Sequence, residues 1–394
     1  MFDTRKQWSL LVPHLSLSSK SLLRSITASC AKQSSLVSPG GTIHALDCYN
    51  HALKELTCAL GESTMKRSAA SFASCLLVGH CEMIDARSID WHTHLRGTFS
   101  LCSSQGWHGL YGDVGQSCFW VYCRMDLLAS IARSKRTLLD TSLWLPTEAS
   151  SRIDNGALET KLDLWCNEVV LLLAQAHNLL CDVGQSYHDA LELVALGPRW
   201  DDLSAAIEAY EAQRPAAFHP VIKLPPFGCA CPFERIVYTS PAAAAATQML
   251  DLAKLFLILA HPDSTSGIRE ARLTSSSVTQ RALDLSREII ANSIMNRQTI
   301  AWANAVQILS TSGLILVRGD ETAALLQVLQ DTHSETGWST CMQIEALREW
   351  WSSCTIHDGI ALGLGPRSGS NLMHRQVDES LVRMSKIYYR RWED

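Results

Sequence analysis

The sequence predicts an all-α protein: a large multi-helix bundle with a proline-rich loop between two helical lobes. Three observations carry this. Apolar residues recur at three- and four-residue steps along most of the chain. Alternating strand patterns are scarce. One stretch, 214–241, holds six prolines in 28 residues, which cannot be helix interior. The chain has 394 residues, of which 47% are hydrophobic and 19% charged. That is enough apolar surface for one large core or two fused lobes, and it is not the composition of a disordered protein.

The elements follow in order. Residues 1–40 read as an N-terminal segment, partly helical. In 45–60, Leu46, Tyr49, Leu53, Leu56 and Leu60 form one stripe, and Gly61 follows as a stop. The span 66–86 repeats the idea with Phe72, Leu76 and Met83. Leu95, Phe99 and Cys102 mark a face in 89–104, and Phe119, Cys123, Leu127 and Ile131 another in 114–132. Further helices are expected at 156–182, 188–213, 242–260, 277–295, 297–317, 320–333, 338–352 and 378–391. A polar stretch at 141–155 reads as a surface loop, and the Gly/Ser-rich 357–372 as another. The domain division is therefore 1–40, then a main body over 41–352, then a Gly/Ser loop and C-terminal helix over 353–394. Within the body, lobes at about 41–213 and 242–352 meet at the proline-rich loop 214–241. Phe218, Phe227, Phe233 and Tyr238 in that loop are suited to pack rather than to dangle.

Charge and cysteine usage exclude several function classes. The net charge is −5, so the surface as a whole does not attract a phosphate backbone. The densest basic spots, Arg133/Lys135/Arg136 and Arg390-Arg391, neutralise too few phosphates for useful affinity. The 14 cysteines include no C-x-x-C, and most lie in apolar helical stretches, as small buried hydrophobes do. The start of the chain has no continuous apolar run or small-residue cleavage site, so no signal peptide is expected. The longest apolar runs, 169–174 and 255–260, fall short of the roughly 20 residues of a membrane span; no membrane partner is expected.

Several small constellations of polar residues fall short of a chemical site. His92 and His94 form an H-x-H pair, with His80, Cys81 and Glu82 shortly before, but residues two apart on a helix point about 200° apart, so the pair cannot share a metal. Asp201-Asp202 resembles the opening of an aspartate-rich magnesium motif. Ser204 and Ala205 stand where a further acid is needed, so a helix N-terminal role fits better. Gly359, Gly363, Gly365 and Gly369 match no phosphate-binding loop. Cys229 and Cys231 have no nearby cysteine pair to complete four zinc ligands. No catalytic residue and no metal ligand is assigned, and no cofactor is expected.

Four stretches, the second in two parts (91–97 and 118–131), resemble in order the regulatory (middle-homology) domain of fungal zinc binuclear-cluster transcription factors. Residues 45–60 (ALDCYNHALKELTCAL) are similar to its early helix, with Tyr49 ahead of an Ala-Leu pair. Residues 91–97 (WHTHLRG) match its W-x-x-H-L-x-G element through Trp91, His94 and Gly97. Residues 118–131 (CFWVYCRMDLLASI) resemble its F-W-x-x-x-R-x-D helix through Phe119, Trp120, Arg124 and Asp126. Residues 200–220 are similar to its mid-domain helix and proline loop, and 337–351 (GWSTCMQIEALREWW) to its closing helix, with Trp338 and Trp350.

The resemblance covers about residues 8–352. It implies a fungal-specific transcription factor domain and a nuclear regulator of a metabolic or secondary-metabolite gene set. Protein partners, a dimer mate or a coactivator, are implied, and a small-molecule effector is compatible with it. The family's zinc cluster would lie upstream, with C-x-x-C repeats that this chain does not hold. Zinc is therefore expected only with a missing N-terminal cluster, and DNA is reached only indirectly or through such a finger. The rival readings are a non-catalytic scaffold or a helical enzyme of a biosynthetic cluster. Read from the residues themselves, the tryptophans fill gaps between helices. Arg124 and Asp126 are expected to pair with neighbours such as His94 or Arg96 and so to fix helix register.

Overall fold

An apolar stripe on a helix is stable only against a second apolar surface. This chain meets that need by stacking helix on helix. The computed structural model describes residues 6–38, 40–61, 68–85, 91–110, 112–145, 158–187, 189–226, 231–263, 266–361 and 369–390. After a wide turn at Gln7–Leu11 come α1 (Val12–Ser16), α2 (Lys20–Val37), α3 (Thr42–Gly61), α4 (Ala69–Met83), α5 (Trp91–Gln105), α6 (Asp113–Arg133) and α7 (Leu158–Gln185). Then follow α8 (Ala190–Ala195), α9 (Gly197–Gln213), β1 (Ile222–Leu224) and β2 (Arg235–Val237). The chain closes with α10 (Pro241–Leu259), α11 (Ser266–Leu273), α12 (Ser276–Met295), α13 (Thr299–Gly313), α14 (Gly319–Thr336), α15 (Cys341–Ala361) and α16 (Gly369–Arg390). The fold is all-α: among the described residues, the sheet content is one short antiparallel pair, with Lys223 opposite Ile236.

α10 sits at the centre. Ser240 caps it by accepting the Ala243 N–H at 3.1 Å, and Pro241 supplies a preset φ in the first turn. Its small alanines let α7, α12 and α13 approach closely. Polar groups lock the contact: Gln248 donates to the Ile289 carbonyl at 2.8 Å, and Asn292 to the Ala244 carbonyl at 2.9 Å. By length and composition α10, and Leu162–Gln185 within α7, could cross a membrane. Their apolar windows are 83% and 72% buried inside the fold, as core helices are.

Buried side chains from Val12 to Tyr388 join one cluster, with residues before and after segment 214–241 packed together. A smaller cluster around Ala28, Ala52, Leu56 and Val78 lies between α2, α3 and α4. In the proline-rich segment Phe218, Phe233 and Tyr238 are buried. Asn296 fastens the segment to the end of α12, accepting the Tyr238 N–H and donating to the Ile236 carbonyl, each at 2.9 Å.

Three local expectations are corrected. The span 188–213 is two helices, because Leu196 ends α8 and Gly197-Pro198 open α9. The Gly/Ser-rich span 357–372 is helical at both ends, through Ala361 and from Gly369. The polar stretch from Thr141 is not wholly surface: Trp144 is fully buried. Phe227, Cys229, Gly363, Gly365 and Arg391 lie outside the described residues.

Candidate functional site

The family-like residues gather in the layer built by α3 to α6. Tyr49 on α3 donates its hydroxyl to Glu82 on α4. His94 on α5 meets the same carboxylate oxygen, Nε2 to Oε1, at 3.0 Å. Burial alone would raise the Glu82 pKa. The hydrogen bonds from His94 and Tyr49, and the charge on His94, outweigh that and hold it below its ordinary value. In the sequence Glu82 stands only as a neighbour of the His92/His94 pair; in the structure it is a partly buried acid held by two partners. Trp91 opens α5, and its side chain lies outside what the structure describes. A Cβ at Gly97 would meet nothing within 4 Å, so no close packing requires glycine there.

Asp126 on α6 does something different from the expected pairing with α5. Its two oxygens accept the backbone N–H groups of Leu138 and Leu139, at 3.0 and 3.1 Å. The side chain is 0% exposed, and burial pushes its pKa up to about 6 against the lowering pull of those N–H groups. The strap it holds leads to Trp144, whose ring stands edge-on to Trp120 at 6.0 Å. Trp120 donates Nε1–H to the Gly109 carbonyl at 3.1 Å, and the Gly109 N–H bonds the Trp144 carbonyl at 2.8 Å. A Cβ at Gly109 would lie 2.6 Å from both the Trp120 ring and the Trp144 oxygen, so glycine is required. Phe119 is fully buried and edge-on to Trp120.

At the other end, Trp350 donates to the Leu314 carbonyl at 2.8 Å, and the Arg383 guanidinium lies over its ring at 4.2 Å. Trp338 is half-buried beside His80, with ring centroids 5.7 Å apart.

Trp338 and Arg124 also face a feature that no spacing signalled: a cavity of about 510 Å³ among α2, α4, α6, α13 and the start of α15. Its wall is mainly aliphatic, including Leu76, Leu77, Met83, Val121, Met125 and Val306. The polar wall groups are chiefly hydroxyls and amides, with His80 and the buried Arg124. His80 hydrogen-bonds Ser29 at 3.1 Å, and burial lowers its pKa to about 4, so it is neutral at pH 7. Among the described residues, no group of three or more His, Cys, Asp or Glu side chains could hold a metal ion. Cavities of this size and lining suit small molecules.

A profile of the fungal specific transcription factor domain matches residues 1–188, from the N-terminus through α7. Residues 1–188 are thus the part that resembles a fungal specific transcription factor domain. It is similar to the transcription activator AMTR1 of Alternaria alternata, at 23% identity over 326 residues, covering 68% of this chain. The chain spans 42% of the length of that relative. No solved structure matches it. The first two family-like stretches, the F-W-x-x-x-R-x-D helix included, fall inside the matched region. The mid-domain and closing stretches fall beyond it, in helices whose buried residues share the main core with the matched part.

Proposed function

We propose that the chain is the regulatory body of a transcription-factor-like protein. It acts in the nucleus to switch a metabolic gene set, with secondary-metabolite genes the favoured class. The observation that carries this is the match of residues 1–188 to the transcription factor domain, on a body that is all-α apart from one short strand pair among the described residues. The similarity to a transcription activator supports it, and both point to a regulator rather than to a catalyst.

The helical body receives a signal and passes it to protein contacts, with a second copy or a coactivator. These residues offer no cysteine spacing for a zinc cluster, so the domain reaches DNA through a partner or an upstream finger. The test is tethering. The chain is fused to a foreign DNA-binding domain and assayed on that domain's reporter, with a fluorescent tag for localisation. Changed transcription and nuclear accumulation are expected. A well-expressed fusion that leaves the reporter unchanged and stays outside the nucleus overturns the reading.

A further inference from the structure

We propose that the cavity among α2, α4, α6, α13 and α15 binds an uncharged, largely apolar small molecule that carries a hydrogen-bond donor such as a hydroxyl. Its volume of about 510 Å³ lies within the range of pockets that enclose drug-sized ligands. Such a space is far too large for a packing defect in a well-packed interior. The wall is mostly aliphatic, so water held there has few partners and an apolar occupant gains by displacing it.

The polar groups set the class. No carboxylate or lysine is among the residues lining the cavity, so a cation finds no counter-charge. Arg124 is the charged group on the wall, and it already takes part in an interaction within the protein. The side-chain oxygen of Gln343, on α15, is sealed from solvent and has no hydrogen-bond partner among the described residues. A buried acceptor left unmade costs stability, and a donor on the occupant removes that cost. His80, neutral at pH 7, adds a further uncharged polar edge.

The position gives the ligand a consequence. α2, α4 and α6 lie in the part matched to the transcription factor domain; α13 and α15 lie beyond it. An occupant touching both stabilises their mutual packing, and only the closed arrangement binds it well. This consequence, though not the binding itself, rests on the proposed regulatory function.

The test uses the full chain and N-phenyl-1-naphthylamine, an uncharged dye with one N–H donor whose fluorescence rises in apolar surroundings. Saturable binding at one site per chain is expected, along with a raised unfolding temperature. Filling the cavity from two sides, by Ala303→Trp on α13 and separately Val121→Trp on α6, should weaken binding at least tenfold. Circular dichroism melting confirms that each variant is folded. Gln343→Leu, which adds no bulk, should weaken this dye about fivefold, the value of one hydrogen bond. It should leave N,N-dimethyl-1-naphthylamine, which lacks the donor, unaffected. Failure of the parent chain to bind, or equal binding by folded filled variants and Gln343→Leu, overturns the proposal. Binding of the sulfonated analogue, 8-anilino-1-naphthalenesulfonate, without the neutral dye overturns the uncharged class. Dye binding with a silent tethered reporter would fault the regulatory reading alone; an active reporter with no dye binding would fault the cavity alone.

Discussion

Glu82 and Asp126 lie in the same helical layer, and the fold uses them in opposite ways. Glu82 is reached by side chains only: Tyr49 from α3 and His94 from α5 meet it on α4. Asp126 is reached by the backbone of a strap, through Leu138 and Leu139. The first ties helices that the apolar stripes already bring together. The second sets the course of a segment with no stripe of its own, and through it the seat of Trp144. A carboxylate joining side chains adds a little stability; one that satisfies buried backbone N–H groups sets a path, because those groups need an acceptor once they leave water.

The largest effect should therefore come from Asp126→Ala. It leaves two N–H groups, one on a buried residue, without an acceptor, and should cost about 4 kcal/mol in chemical denaturation. Asp126→Asn, which keeps one acceptor, should cost about half of that. A loss equal to that of Glu82→Gln would erase the contrast.

Gly109→Ala attacks the same strap from its far end. The added Cβ meets the Trp120 ring and the Trp144 oxygen at 2.6 Å, so one tryptophan has to move. About 3 kcal/mol is expected, with a changed tryptophan fluorescence spectrum. Gly97→Ala, which meets nothing within 4 Å, serves as the control and should be neutral or mildly stabilising within its helix.

Glu82→Gln keeps an acceptor for Tyr49 and removes the charge facing His94. About 1 kcal/mol is expected at pH 7. The two acids also differ in titration. The Glu82 pKa is lowered from 4.5, so its contribution is present above that value and is lost as pH falls through the lower folded one. Asp126 rises from 3.8 to about 6, so its contribution is full below 3.8 and declines as pH rises through 6. Denaturation between pH 4 and 7 should show the Asp126→Asn difference from the parent chain changing with pH, while the Glu82→Gln difference stays level until stronger acid. Matching curves would show that the two sites do not differ electrostatically. The smallest effect, below about 1 kcal/mol, is expected for Arg383→Ala, which strips the cation from over the Trp350 ring.

The helical skeleton is legible because stripes such as Leu53/Leu56/Leu60 and Phe119/Cys123/Leu127 carry the period of the helix; Leu46, expected on the first stripe, is instead 60% exposed. Helix α2 was harder to read. Its core face uses serines, and Ser25, fully buried, bonds the Ser21 carbonyl at 2.9 Å, so a polar letter behaves as a small apolar one. Reading 141–155 as a surface loop misses the burial of Trp144, because the strap leading to it is ordered by Asp126, at least twelve residues away, and not by local pattern. At the site, Tyr49, His94, Trp120 and Asp126 could be named from family-like motifs. Glu82, Gly109 and the cavity could not, since each depends on which helices meet.

The central claim is that this helical body carries regulatory output and needs its fold to do so. The most direct measurement is the tethered reporter, read side by side for the parent chain and Asp126→Ala at matched protein levels. The parent should change transcription relative to the bare DNA-binding domain, and the variant should lose that change. A folded parent fusion that leaves the reporter at the bare-domain level would contradict it.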